Sequence, residues 1–270
     1  YAQAGAPLVL LRAFPLSRAM WKEELERFAP LARVIAPDLP GFGGSPRQPT
    51  PSIEGMAKIV AGLLDQLNVT QPAIVAGVSM GGYVAFEFIR QFPQRVRALG
   101  LFSTRAAADS PEASAGRMKL IDKIRIQGLD VLMTATLPKL VGRTTAASKP
   151  ALMAEVEQLI RAADRAGTFI AGEEVPRAAE RAASPDGVID ALCAMAGRRD
   201  SQPLLPGIRC PVLILAGEED ALIPAQESRA MAQAIPGARL EIIPQSGHLV
   251  NLEQPEAFQR LVASWIERVS

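Results

Sequence analysis

The chain has 270 residues, 49% of them hydrophobic, enough to bury a substantial core as one large domain or as a domain carrying an insertion. Its 29 basic and 28 acidic residues are well mixed and leave a net charge of +1, which gives no electrostatic footprint for nucleic acid or an anionic membrane. No apolar run approaches the roughly 20 residues that a bilayer span needs, and the opening Tyr1-Ala2-Gln3-Ala4-Gly5 lacks the basic and apolar regions of a secretory signal.

Cys193 and Cys210 have neither metal-ligand spacing nor the pattern of a disulfide framework. They are expected to be ordinary buried thiols, one in a helix and one just before a strand. The setting expected from these features is cytoplasmic.

In chain order, Pro7–Leu11 is a short continuous apolar run, as a strand buried on both faces requires. Trp21–Phe28 has the spacing of an amphipathic helix. Arg33–Pro37 is a second strand, ending in the glycine-rich turn Asp38–Ser45. Ile53–Leu67 carries apolar residues at helical spacing, and Ala73–Ala76 is a third strand. The turn Gly77-Val78-Ser79-Met80-Gly81 leads from it into a helix over Gly82–Gln91, and Ala98–Phe102 is a fourth strand.

The character changes between Arg105 and Pro206, which is rich in Ala, Arg and Glu and shows no strand. Met118–Ile126, Leu152–Ala166 and Val188–Met195 are expected to be helices. Pro211–Ala216 resumes the strand pattern, and Arg239–Ile243 follows after another helix. Strands alternating with helices predict a parallel sheet covered on both faces. The predicted organisation is a core of residues 1–104 and 207–270, with 105–206 inserted as a helical cap over the sheet's carboxyl edge, where ligand sites of such folds lie.

Gly77–Gly81 matches G-x-S-x-G. The motif calls for a sharp strand-to-helix turn that exposes the serine hydroxyl above the sheet, and the flanking strand and helix supply that context. A serine hydroxyl is a poor nucleophile unless a base takes its proton. The chain has one histidine, His248, in the turn Gln245–His248, so it alone can serve Ser79 as an imidazole base. A carboxylate must then orient the imidazole. Asp220, in the loop after the Pro211–Ala216 strand, is the favoured candidate and gives the chain order Ser, Asp, His. Glu218, Glu219 and the more distant Asp109 are its rivals.

Four segments together resemble the α/β-hydrolase superfamily, in its serine esterase and enol-lactonase-like branch. They are Leu10–Leu16, Pro37–Ser45, Gly77–Gly82 and Gly247–Phe258. The resemblance implies an α/β fold, with a mostly parallel sheet, flanking helices and an inserted helical cap. It implies hydrolysis of a small carboxylic ester or lactone through an acyl-enzyme, with no metal and no organic cofactor. Ser79 would attack, His248 would act as base and acid, and Asp220 would hold the imidazole. An oxyanion hole would come from the backbone N–H groups of Phe14 and Met80.

Trp21 and Phe42 would border the acyl pocket or belong to the core. Met118, Leu132, Met133, Leu137 and Leu140 would line that pocket or pack the cap onto the sheet. Glu253 and Pro255 would set the start of the final helix, and Asp38 would hydrogen-bond turn amides.

Two departures stand out. Arg12-Ala13 occupies the place where this family usually has His-Gly; Arg12 would hold the loop or put a cation near the site for a carboxylate-bearing substrate. Family members also usually have a β-hairpin before the first strand, and Tyr1 resembles its end. Loss of that hairpin would expose a sheet edge that invites pairing, so a monomer or a weak homodimer is expected. The same triad also serves carbon–carbon bond hydrolysis, perhydrolysis and hydroxynitrile cleavage, and a non-catalytic ligand-binding member is the alternative from another class.

Overall fold

The structure is a computed structural model that describes residues 5–162, 169–170, 173–174 and 185–270. One sheet runs through it. Its strands are β1 Pro7–Leu11, β2 Arg33–Ala36, β3 Ala73–Val78, β4 Val96–Phe102, β5 Phe169–Ile170, β6 Glu173–Glu174, β7 Val212–Gly217 and β8 Arg239–Ile243. They lie in the order β6-β5-β2-β1-β3-β4-β7-β8. The six from β2 to β8 are parallel, and the crossovers between them carry helices. β1, β3 and β7 are buried at every residue, which is why they read as unbroken apolar runs. β8 is an edge strand. It is half-buried along most of its length and pairs Arg239 with Glu241 at 2.9 Å, charges that blunt an edge against association.

The core helices are α1 Lys22–Phe28, α2 Ile53–Gln66 and α3 Met80–Gln91, followed, after the inserted segment, by α10 Ala225–Ala234, α11 Val250–Glu253 and α12 Pro255–Val269. The insertion contains α4 Pro111–Gln127, α5 Val131–Ala135, α6 Leu137–Leu140, α7 Arg143–Ser148, α8 Pro150–Arg161 and α9 Pro185–Ala196. α2 starts at Ser52, whose hydroxyl accepts the Gly55 N–H at 3.0 Å. It buries Ile53, Met56, Ala57, Val60, Ala61 and Leu64 on one stripe. α12 buries Phe258, Val262, Trp265 and Ile266; the Phe258 ring meets Phe102 edge-on at 5.2 Å and Trp21 at 6.1 Å, fixing α12 against β4 and the start of α1.

Four expectations change. The insertion is not helix-only: β5 pairs antiparallel with β2 (Ile35 with Ile170, Ala36 with Phe169), and β6 pairs with β5. Two-residue strands are too short to leave a periodic signal. Of the two, β5 pairs with β2 at Ile35 and Ala36. The helix expected over Leu152–Ala166 ends at Arg161, and residues 163–166 lie outside the described residues, as does Tyr1. Cys193 is exposed rather than buried, because α9 turns Val188, Ala191, Leu192 and Met195 inward instead; Cys210 is half-buried. The short helices α5–α7 carry no sequence period long enough to announce them. No helix among the described residues is long and apolar enough to cross a membrane.

Glu24 of α1 is a buried carboxyl, 1% exposed, with no ion-pair partner among the described residues. Burial, with Glu23 beside it, pushes it up from 4.5 to about 8. A carboxyl whose pKa is higher in the folded than in the unfolded chain gives its full contribution below the unfolded value. That contribution is lost as pH rises toward the folded one. Glu24→Gln is therefore expected to remove a decline of stability between pH 4.5 and 8. The decline should be at most about 1.4 kcal/mol per pH unit. Urea denaturation of both proteins across that range checks it, and parallel stability–pH curves would refute it.

Candidate active site

The carboxyl ends of β1, β3, β7 and β8 each release a loop onto the same edge of the sheet, and four candidate residues sit on those loops. Ser79 lies between β3 and α3 with φ 54° and ψ −113°, a backbone conformation unusual for a residue with a side chain. The surroundings impose it. Its N–H donates to Phe102 O at 2.9 Å, and its own carbonyl accepts from Thr104 Oγ1 at 2.8 Å and Gly82 N at 2.9 Å. The turn closes only without side chains. A Cβ on Gly77 would lie 2.2 Å from the Gly81 carbonyl carbon, and one on Gly81 would lie 2.2 Å from Leu11 O.

Asp220 follows β7. Its Oδ1 accepts the N–H groups of Leu222 and Ile223, both at 2.9 Å, which leaves Oδ2 aimed at the histidine loop. His248 Nδ1 lies 2.8 Å from Asp220 Oδ2, with both side chains 2% exposed or less. A carboxylate oxygen only accepts, so this contact puts the proton on Nδ1 and leaves Nε2 as an acceptor. The rival carboxylates are engaged elsewhere. Glu219 accepts from Thr144 N at 2.8 Å and Thr144 Oγ1 at 2.6 Å, bonds that hold it below its ordinary value. Glu218 accepts from Gln245 N at 3.4 Å. Asp109 faces three arginines.

Ser79, His248 and Phe14 line one cavity of about 460 Å³ whose other walls come from α4, α5, α6 and α9. The backbone N–H groups of Phe14 and Met80 have no acceptor among the described residues. Among the described residues no three His, Cys, Asp or Glu side chains gather as a metal-binding group.

The sequence profile of the α/β hydrolase fold matches residues 6–255. The chain belongs to the α/β-hydrolase fold family. Among its relatives are the pimeloyl-[acyl-carrier protein] methyl ester esterase of Neisseria meningitidis serogroup C, 30% identical over 96% of this chain and 93% of that protein, and 3-oxoadipate enol-lactonase 2 of Acinetobacter baylyi, 26% identical over 99% and 91%. A solved structure of a thermophilic esterase from Thermogutta terrifontis, with malate bound, superposes with a TM-score of 0.87 at 37% identity, covering 98% of this chain and 90% of that one. These likenesses group this α/β hydrolase with the carboxylic ester hydrolases.

The other expected contacts fall beneath the cavity floor. Arg12 is fully buried, its guanidinium 3.5 Å over the Phe42 ring, and its Nη1 donates to Ala13 O at 3.3 Å. Burial pushes it down to about 9 against the opposing pull of Asp38. Asp38 in turn accepts the Arg18 N–H at 2.9 Å, and burial raises it to about 6. Arg12 thus braces the Phe14 loop from below. Trp21 and Phe42 are core residues as well, and none of these three is among the described residues lining the cavity. Of the apolar cap residues, Leu140 faces the cavity, Leu132 and Leu137 are buried without lining it, and Met118 is exposed. Tyr83, Arg105, Arg117, Lys139, Met195 and Leu222 line it without any motif to mark them in the sequence.

Glu253 does more in this α/β hydrolase than begin the final helix. It is fully buried. Its Oε2 accepts Gly142 N at 2.7 Å and Gly247 N at 2.9 Å, and its Oε1 accepts Leu249 N at 3.2 Å. One carboxylate so grips both flanks of His248 and Gly142 of the inserted segment. Glu253→Ala leaves two buried N–H groups, those of Gly142 and Gly247, without an acceptor, at about 1–3 kcal/mol each, while Leu249 N keeps the Leu140 carbonyl. It is expected to cost on the order of 2 kcal/mol or more in urea denaturation, with Glu253→Gln between it and the parent. A loss too small to measure would mean that other acceptors hold the loop.

Proposed function

We propose that the protein is a serine hydrolase that cleaves a small-molecule carboxylic ester or lactone through an acyl-enzyme, with residues 105–206 as the cap over its site. The observation that carries this reading is the 2.8 Å contact between His248 Nδ1 and Asp220 Oδ2, beside a strained Ser79 on the same cavity. His248 Nε2 takes the Ser79 proton as Oγ attacks the carbonyl carbon. Asp220 keeps the ring in that tautomer and stabilises the imidazolium. The charge gathered on the carbonyl oxygen is received by the N–H groups of Phe14 and Met80, the latter at the N-terminus of α3 where helix N–H groups stand free. His248 then gives its proton to the departing alcohol. A water molecule, deprotonated by the same nitrogen, attacks the acyl-enzyme and releases the acid and Ser79.

The names of the relatives support an ester or lactone as substrate. The reading requires neither metal nor organic cofactor.

A fluorophosphonate probe is expected to label Ser79 in the folded protein. Ser79→Ala and His248→Ala should each abolish hydrolysis of a short p-nitrophenyl ester, and Asp220→Asn should lower kcat by about ten-thousandfold. Folded protein that resists the probe, or His248→Ala at full activity, would remove the mechanism.

A further inference from the structure

The cavity carries more positive charge than the proposed chemistry uses. Its charged lining residues are Arg105, Arg117 and Lys139, with no aspartate or glutamate among the described residues that line it. The arginines converge on one carboxylate. Asp109 Oδ1 accepts from Arg105 Nη2 at 2.9 Å and Arg198 Nη1 at 2.6 Å, while its Oδ2 accepts from Arg117 Nε at 2.5 Å. That carboxylate is fully buried behind the arginines and does not reach the cavity, and three guanidiniums stand against it. Burial opposes its ionisation, but Arg117 and Arg198 hold it down at about 2, so it counts as one full negative charge at neutral pH. Glu227 adds a second, facing Arg105. Lys139 is exposed at the cavity rim and has no ion-pair partner among the described residues.

Among the described residues, these four cations against two anions leave an excess of two positive charges beside the cavity. An ester carbonyl is neutral, the oxyanion is provided for by backbone N–H groups, and hydrolysis by Ser79 and His248 calls for no cation. Half-buried guanidiniums in excess of their partners are costly unless an anion meets them. Their planar forks suit a carboxylate.

Resting on the hydrolase reading above, we infer that the substrate is an ester or lactone that itself bears a carboxylate, received by Arg105, Arg117 and Lys139. The carboxylate belongs to the part of the substrate that lies against the cap, away from Ser79.

Matched pairs test this. Monomethyl glutarate against methyl pentanoate puts the charge in the acyl half, and acetoxyacetate against ethyl acetate puts it in the alcohol half. For at least one pair, kcat/KM for the charged ester should exceed that for its neutral partner by about tenfold or more, and added salt should narrow the gap. Lys139→Gln and Arg117→Gln should shrink the preference, mainly by raising KM for the charged ester. Should Arg117→Gln fail to fold through loss of its Asp109 contact, the exposed Lys139 still decides.

Binding measures the cavity separately from turnover. Monomethyl glutarate should bind folded Ser79→Ala more tightly than methyl pentanoate does, even if the serine mechanism fails its own probe-labelling test. Equal binding of these two esters, or no preference for either charged ester by a protein that hydrolyses the neutral ones, overturns the inference.

Discussion

The site depends on a buried carboxylate having one direction left in which to point. Asp220 is fully enclosed, so each of its oxygens must be satisfied. The N–H groups of Leu222 and Ile223 saturate Oδ1, and Oδ2 is left for His248. Removing that ring would strand a charge in the core, and removing Asp220 would strand a ring N–H. The two therefore fix each other, and the tautomer of the imidazole follows from the acceptor-only chemistry of a carboxylate rather than from anything at the serine. The strain at Ser79 is the complementary constraint: the β3–α3 turn is closed so tightly over Gly77 and Gly81 that the hydroxyl has nowhere to go but the cavity.

Much of this was legible in the chain because period and composition encode it directly. β1, β3 and β7 are buried on both faces and so read as apolar runs, and α2 and α12 wear their core stripe at helical spacing. Ser79 was legible because a tight turn needs glycines at fixed offsets, and His248 because it is the only histidine. Other features depend on who meets whom across the chain. Trp21 and Phe42 look alike whether they face a ligand or a core; Phe258 and Arg12 decide that, from 237 and 30 residues away in sequence. Arg105, Arg117 and Lys139 are unremarkable cations until the cap folds over the sheet edge. The β5–β6 pair is defined by the open side of β2 rather than by its own length.

Arg12 illustrates how a departure from a family pattern can be absorbed. A guanidinium with no exposed surface needs a partner for its charge and its planar face. Here the Phe42 ring takes the face, the Ala13 carbonyl takes one N–H, and Asp38 supplies the opposing field. The substitution is thereby turned inward. The cationic character of the cavity then comes from the cap side alone, from residues that can vary without disturbing the loop that holds Phe14.

The inserted segment is tied down by carboxylates that belong to the core loops. Glu219 reaches Thr144, Glu253 reaches Gly142, and Leu249 N donates to Leu140 O at 3.1 Å, all within the short span that joins α6 to α7. The approach is so close that a Cβ on Gly247 would lie 2.2 Å from Gly142 N. The glycine before His248 is therefore required by the cap, not only by the turn. Because Glu253 holds Gly247, Leu249 and Gly142 at once, the histidine loop cannot shift without pulling on the cap, and the cap cannot lift at this end without loosening the loop.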